Sequence, residues 1–164
     1  MARVVVMGVT GCGKSTVGAA LASELEVTFI DGDSFHPEGN VAKMSQGIAL
    51  NDADRWPWLD RVAQWLADEP AGVIACSALK RSYRDRIRAT SPEEVFFLHL
   101  AADQEVLEER VRRRHEQDNH FAPVGILDGQ YADLEPLGSD ESGVTVDVAT
   151  ATAPEAVRIA LGSL

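Results

Sequence analysis

Two spacings of apolar residues alternate along the chain. Five short runs, nearly all apolar and rich in β-branched residues, lie at 3–7, 27–30, 73–76, 95–100 and 144–148. Between them the apolar positions recur at helical spacing: Val17, Ala20, Leu21 and Leu25, then Leu59, Val62, Ala63 and Leu66, then Val106, Leu107 and Val111. Strands without polar alternation are buried on both faces, so the pattern predicts an α/β fold, a five-stranded parallel sheet with helices on both sides. Right-handed crossovers then gather ligands at the carboxyl ends of the strands. One domain spanning 1–164 accommodates this pattern. Pro57 suits a first helical turn and places a helix start near it, with Trp58 and Trp65 packing inward. Two stretches lack apolar periodicity, His36 to Arg55 and His115 to Gly125, and read as polar segment and loop.

The first apolar run leads into Gly8-Val9-Thr10-Gly11-Cys12-Gly13-Lys14-Ser15, followed by Thr16 and a helical pattern. Strand, glycine-rich turn and helix in that order make a phosphate loop. The glycines let backbone N–H groups curl inward, and the helix adds its unpaired N–H groups and positive dipole end. Lys14 supplies a point charge for the β- and γ-phosphates, and the Ser15 hydroxyl can ligate Mg²⁺. A nucleotide is the expected ligand.

Charge narrows the partners. Twenty-six acidic against fifteen basic residues give a net charge of -11, which argues against nucleic acid or an anionic membrane as partner. Basic clusters surviving on that background are expected to serve a small anion. Cys12 and Cys76 lack a disulfide framework, the first apolar run is too short for an export signal, and no stretch approaches a membrane span, so a reduced, cytoplasmic setting is expected.

The second run ends in Asp31-Gly32-Asp33, and the third precedes Ser77-Ala78-Leu79-Lys80. An alcohol attacking a γ-phosphoryl group needs a carboxylate to take its proton, which assigns Asp33 as base and Asp31 to Mg²⁺; the alternative is that one or both cap the next segment. Lys80 and Arg84 lie one turn apart at a strand end and are expected to meet an acidic substrate or the transferring phosphate, whereas Arg88 reads as surface. Arg110 and Arg114 share the apolar side of their helix, which makes sense if its end projects over the cleft. Joined to the loop that follows, they suggest a lid at about 112–125. His36, Asn40, Lys43 and Arg55 add hydrogen-bonding groups where such folds place the acceptor.

The blocks Asp31-Gly32-Asp33-x-x-His36-Pro37, Asn40-x-x-Lys43-Met44, Leu50-Asn51-Asp52-x-Asp54-Arg55-x-Pro57-Trp58-Leu59, Cys76-Ser77-Ala78-Leu79-Lys80-Arg81-x-Tyr83-Arg84-Asp85, His120-Phe121 and Gln130-Tyr131-x-x-Leu134-Glu135-Pro136, in this order, resemble the gluconokinases over nearly the whole chain. The resemblance implies a nucleoside-monophosphate-kinase-like P-loop fold and transfer of phosphate from ATP, with Mg²⁺, to the 6-hydroxyl of D-gluconate. It also implies a cytosolic setting and a homodimer. It carries Gly8 to Thr16, with Arg110 and Arg114, to the nucleotide. Asp33, His36, Asn40, Lys43, Arg55, Lys80, Arg84, His120 and Gln130 go to the gluconate side, with Lys14, Asp33, Lys80 and Arg84 catalytic. Cys12, where serine is common, is expected to make the loop sensitive to oxidation. Competing readings are a kinase of another polar acid such as shikimate, and a GTPase-class switch. The switch lacks an Asn-Lys-x-Asp motif and has its one Asp-x-x-Gly, Asp140 to Gly143, in the wrong place.

Overall fold

The computed structural model of the chain describes residues 2–118 and 125–164, with the backbone alone at 115–118. Strands β1 (Arg3–Met7), β2 (Thr28–Asp31), β3 (Gly72–Ala75), β4 (Phe96–Ala101) and β5 (Gly143–Asp147) each begin and end within one residue of the apolar runs. All neighbours pair in parallel, in the order β2-β3-β1-β4-β5. The order places β1, and the glycine loop after it, between β3 and β4 at the middle of the sheet.

Alternate residues of β1 face opposite layers. Val4 and Val6 join Val17 and Leu21 of α1 (Lys14–Leu25), Leu107 and Val111 of α5 (Gln104–Asp118), Leu127 of α6 (Gly125–Asp133) and Ala156 and Ala160 of α7 (Ala153–Ser163). Val5 and Met7 join Leu59, Val62 and Leu66 of α3 (Asp52–Asp68) and Tyr83 and Ile87 of α4 (Arg81–Thr90). Val4, Val5 and Val6 are fully buried, each contributing about 1.5–3 kcal/mol over an exposed position. The sheet is therefore pinned hardest where the phosphate loop leaves it.

Three local expectations change. The polar stretch 36–55 contains a helix, α2 (Glu38–Ser45), and the first turn of α3. That helix begins at Asp52, not at Pro57. Asn51 accepts from the Asp54 N–H at 2.8 Å while Asp54 accepts from the Asn51 N–H at 3.0 Å, a reciprocal cap that sets the start. Pro57 is thereby left inside the helix, where it forfeits one backbone bond near the end. Finally, α5 continues through Asp118 into the stretch read as loop from His115.

Candidate active site

Gly8 leaves β1 with φ 146°, and a Cβ there would lie 2.7 Å from both Cys12 Sγ and the Leu100 carbonyl oxygen. Only glycine can turn the chain at that point. Its N–H reaches the Ser77 carbonyl at 3.3 Å, joining the phosphate loop to the chain leaving β3. Lys14 lies back over the loop, Nζ donating to the Val9 carbonyl at 3.1 Å. The Thr10 N–H donates to Gln130 Oε1 at 2.8 Å, so α6 is tied to the loop. Burial pushes the Cys12 thiol up, only partly countered by Lys14. A neutral, 3 % exposed thiol is a poor nucleophile, which corrects the expected sensitivity to oxidation.

Asp31 uses both carboxylate oxygens. Oδ1 accepts the Asp33 N–H at 3.0 Å, capping the short 3-10 turn Gly32–Phe35, and Oδ2 accepts from Ser15 Oγ at 2.8 Å. Capping the turn and bonding the phosphate loop thus coexist in one residue. Two hard oxygen donors side by side beneath the loop are of the kind that would suit Mg²⁺. Gly32 cannot carry a side chain, because a Cβ would sit 2.5 Å from the Ala75 carbonyl oxygen. The chain turns there, and the Asp33 side chain beyond it is left exposed. Partial desolvation and the Asp31 carboxylate push the Asp33 carboxyl above the usual range, against the pull of Lys14. Its side chain is 81 % exposed, so water screens the effect and keeps it modest.

His36 is stacked on Trp58, ring centroids 4.1 Å apart, and Trp58 Nε1 donates to the Gly32 carbonyl at 2.8 Å. The buried tryptophan is therefore packing that also holds the acidic turn. Burial and the Arg55 charge push the His36 imidazole down to about 4, so it is neutral near pH 7. Asn40 is buried against it and bonds the Asp54 carbonyl at 2.9 Å. Lys43 is occupied elsewhere, its Nζ 2.8 Å from Asp54 Oδ2 at the start of α3.

Arg55 and Lys80 converge on Tyr83. Arg55 Nη1 donates to the Tyr83 hydroxyl at 2.8 Å and to Asp133 Oδ2 at 3.4 Å. Lys80 Nζ donates to Asp52 Oδ1 at 3.3 Å, and the Tyr83 hydroxyl donates to the same carboxylate. Both cations lie 5.6 Å from the Tyr83 ring centroid. Arg84 takes the opposite direction, and the expectation that it meets the substrate is corrected. Fully buried, it donates from Nε to Glu141 Oε2 at 2.7 Å and from Nη1 to the Ala78 and Leu79 carbonyls at 2.9 and 3.1 Å. Ala78 has φ 44°, a left-handed conformation that a non-glycine residue holds only when its surroundings impose it. Arg84 is one of those surroundings, and it acts by shaping the turn that delivers Lys80. Arg88, read as surface, also joins Glu141, at 2.9 Å.

A cleft of about 280 Å³ opens on the other side of the phosphate loop, lined by Gly11, Cys12, Gly13 and Thr16, by Arg110, and by Val148 and Ala151 to Ala153 after β5. Arg110 Nη2 donates to the Val148 carbonyl, closing one wall. Arg114, one turn further along α5, is exposed. His120 and most of the expected lid's loop lie outside the described residues.

A family model described as shikimate kinase matches residues 10–132. The chain is 46% identical over 147 residues to a gluconokinase of Gluconobacter oxydans (strain 621H), covering 87% of this chain and 80% of that protein. It is 42% identical over 149 residues to the thermosensitive gluconokinase of Escherichia coli (strain K12), covering 88% and 78%. The chain belongs to the gluconokinase family. A gluconokinase crystal structure from Sinorhizobium meliloti 1021 superposes with a TM-score of 0.89 at 44% identity, over 99% of this chain and 90% of that one. The P-loop, nucleoside-monophosphate-kinase-like fold expected from the sequence follows.

Against this gluconokinase background, the residues that sequence reasoning passed over are of two kinds. Asp52, Tyr83 and Asp133 order the cleft cations, and two of them stood inside the motif blocks without a role. The wall after β5 carried one readable signal, Thr152 and Glu155 with Pro154 between them. Thr152 Oγ1 and Glu155 form the reciprocal cap that starts α7 at the cleft.

Proposed function

We propose that the protein is an ATP-dependent gluconokinase that phosphorylates the 6-hydroxyl of D-gluconate, giving 6-phospho-D-gluconate and ADP. The observation that carries the reading is the chain of contacts from the phosphate loop through Ser15 and Asp31 to Asp33. On this reading the Asp33 carboxylate serves the acceptor next to the γ-phosphate, and the contacts that tie it to the loop support that role. The loop N–H groups, Lys14 and Thr16 hold the triphosphate, and the cleft beside Arg110 takes the nucleoside. Mg²⁺, held by Ser15 and Asp31, would neutralise charge on the β- and γ-phosphates. Asp33 accepts the hydroxyl proton as the substrate oxygen bonds to phosphorus and the bond to the β-phosphate oxygen breaks, releasing ADP. Arg55 and Lys80 face the gluconate carboxylate, preferably through the planar fork of Arg55. Arg114, His120 and the rest of 112–125 close as a lid.

The relatives' names favour gluconate over shikimate as acceptor. A homodimer in the cytoplasm, with neither nucleic acid nor membrane as partner, completes the reading. The net charge of -11 supports the part that concerns nucleic acid and anionic membranes, and no helix among the described residues is long and apolar enough to cross a membrane. A coupled assay of ADP release should show turnover with gluconate and little with shikimate, gluconolactone or glucose. Equal turnover with an uncharged sugar would refute the role of the cations.

A further inference from the structure

The two ring nitrogens of His36 face different partners. Nδ1 lies 3.2 Å from Asn40 Nδ2, and Nε2 lies 3.9 Å from Asp33 Oδ1. The same Asn40 nitrogen is 2.9 Å from the Asp54 carbonyl oxygen. A backbone carbonyl only accepts, so the Asn40 atom facing it must be the amide nitrogen, and its second proton points at His36 Nδ1. That nitrogen must then be bare. A neutral imidazole carries one ring proton, which is left to Nε2. Water competes little for these groups, since Asn40 and the His36 side chain are each 5 % exposed. The ring cannot readily turn over, because it lies flat on a Trp58 that is itself bonded to Gly32.

We propose that Asn40 is a positioning residue that fixes His36 as its Nε2–H tautomer, so that the ring presents a donor to the acceptor hydroxyl oxygen beside Asp33. Which hydroxyl this is rests on the functional reading above; the tautomer does not. A separation of 3.9 Å is too long for a direct bond, but one oxygen can sit about 2.8 Å from both groups. Such an oxygen gives its proton to Asp33, accepts from His36 Nε2–H, and keeps a lone pair for phosphorus. The opposite tautomer would turn a lone pair towards both the carboxylate and the hydroxyl oxygen. An Asn40 that merely tied α2 to α3 would be indifferent to where the His36 proton sits.

Histidine ¹⁵N labelling reads that proton directly. The chain has four histidines, and His36 is assigned by the signal lost in His36→Gln. Long-range proton–nitrogen correlations near neutral pH, without substrate, should show His36 protonated at Nε2. Asn40→Asp replaces the donor by an acceptor and should move the proton to Nδ1. Gluconate-dependent kcat should then drop roughly a hundredfold to a thousandfold, as for loss of one aligned donor, with KM for ATP unchanged. A wild-type His36 protonated at Nδ1 would overturn the proposal, as would a variant whose Nδ1 stays bare or one that loses Nε2–H without loss of kcat. If Asn40→Asp fails to fold, the wild-type spectrum decides. An enzyme inactive on gluconate but carrying the Nε2–H signal would sink the substrate reading and leave the tautomer standing.

Discussion

Replacing Arg84 by alanine should cost stability first and gluconate affinity hardly at all. The guanidinium is fully buried and bonded to a Glu141 side chain that is itself 1 % exposed. Truncation leaves that carboxylate with Arg88, which is 26 % exposed and shared with Asp85, and strips donors from the Ala78 and Leu79 carbonyls. Breaking a buried pair in this way costs about 3–5 kcal/mol. Glu141 gives a second route to the magnitude. Burial pushes its carboxyl up, but hydrogen bonds from Arg84, the Gly138 N–H and Arg88 outweigh this and hold it at about 2, against an ordinary 4.5. That difference corresponds to on the order of 3 kcal/mol shared among Arg84, the Gly138 N–H and Arg88, and so caps the electrostatic part owed to Arg84; it is present above pH 4.5 and lost as pH falls through about 2. For a chain of this length each kcal/mol moves Tm by about 2–4 °C, so Arg84→Ala should melt roughly 6–20 °C lower. Thermal and urea unfolding measure this, with KM for gluconate taken on the fraction still folded. Converting the pair together, Arg84→Met with Glu141→Leu, should recover the charge penalty but not the donors lost to the two carbonyls. A variant of unchanged stability with a sharply raised KM for gluconate would refute the reasoning and return Arg84 to the cleft.

Lys14→Ala should nearly abolish turnover at unchanged melting temperature, since among the described residues the ammonium bonds only the Val9 carbonyl and Cys12 Sγ within its own loop; turnover near wild type would remove the lysine from phosphate binding. Asp33→Asn should lower kcat by about 10²–10⁴, the span of general base catalysis, while ATP binding measured by calorimetry persists. His99 in β4 is buried, and burial with the nearby Arg84 charge pushes its imidazole down to about 4 from 6.5. The unfolded chain therefore binds this proton first, and stability should fall by up to about 3 kcal/mol between pH 6.5 and 4. In His99→Leu that part of the slope in urea midpoint against pH should vanish; an unaltered slope would show that His99 does not contribute.

Patterns that are local in the chain were legible without coordinates. Five β-branched runs located the strands because a strand buried on both faces cannot afford polar positions, and Gly8 to Thr16 declared the phosphate loop because its chemistry needs those residues in unbroken succession. What escaped reading depended on long-range partners. Arg84 and Lys80 look alike in sequence, one turn apart and both cationic, yet one enters the interior and the other the cleft. The difference is Glu141, more than fifty residues away, which compensates a buried charge that the helix alone could not carry. The start of α3 is set by the reciprocal cap of Asn51 and Asp54, which outweighs the preference of Pro57 for a first turn. Sequence by itself determined the layers, the nucleotide loop and the family. The tertiary structure decided which cation is drawn into the interior, which carboxylates hold Arg55 and Lys80, and how Asp31 bridges the phosphate loop and the turn before Asp33. Those outcomes depend on burial and on contacts between distant segments, which no local spacing encodes.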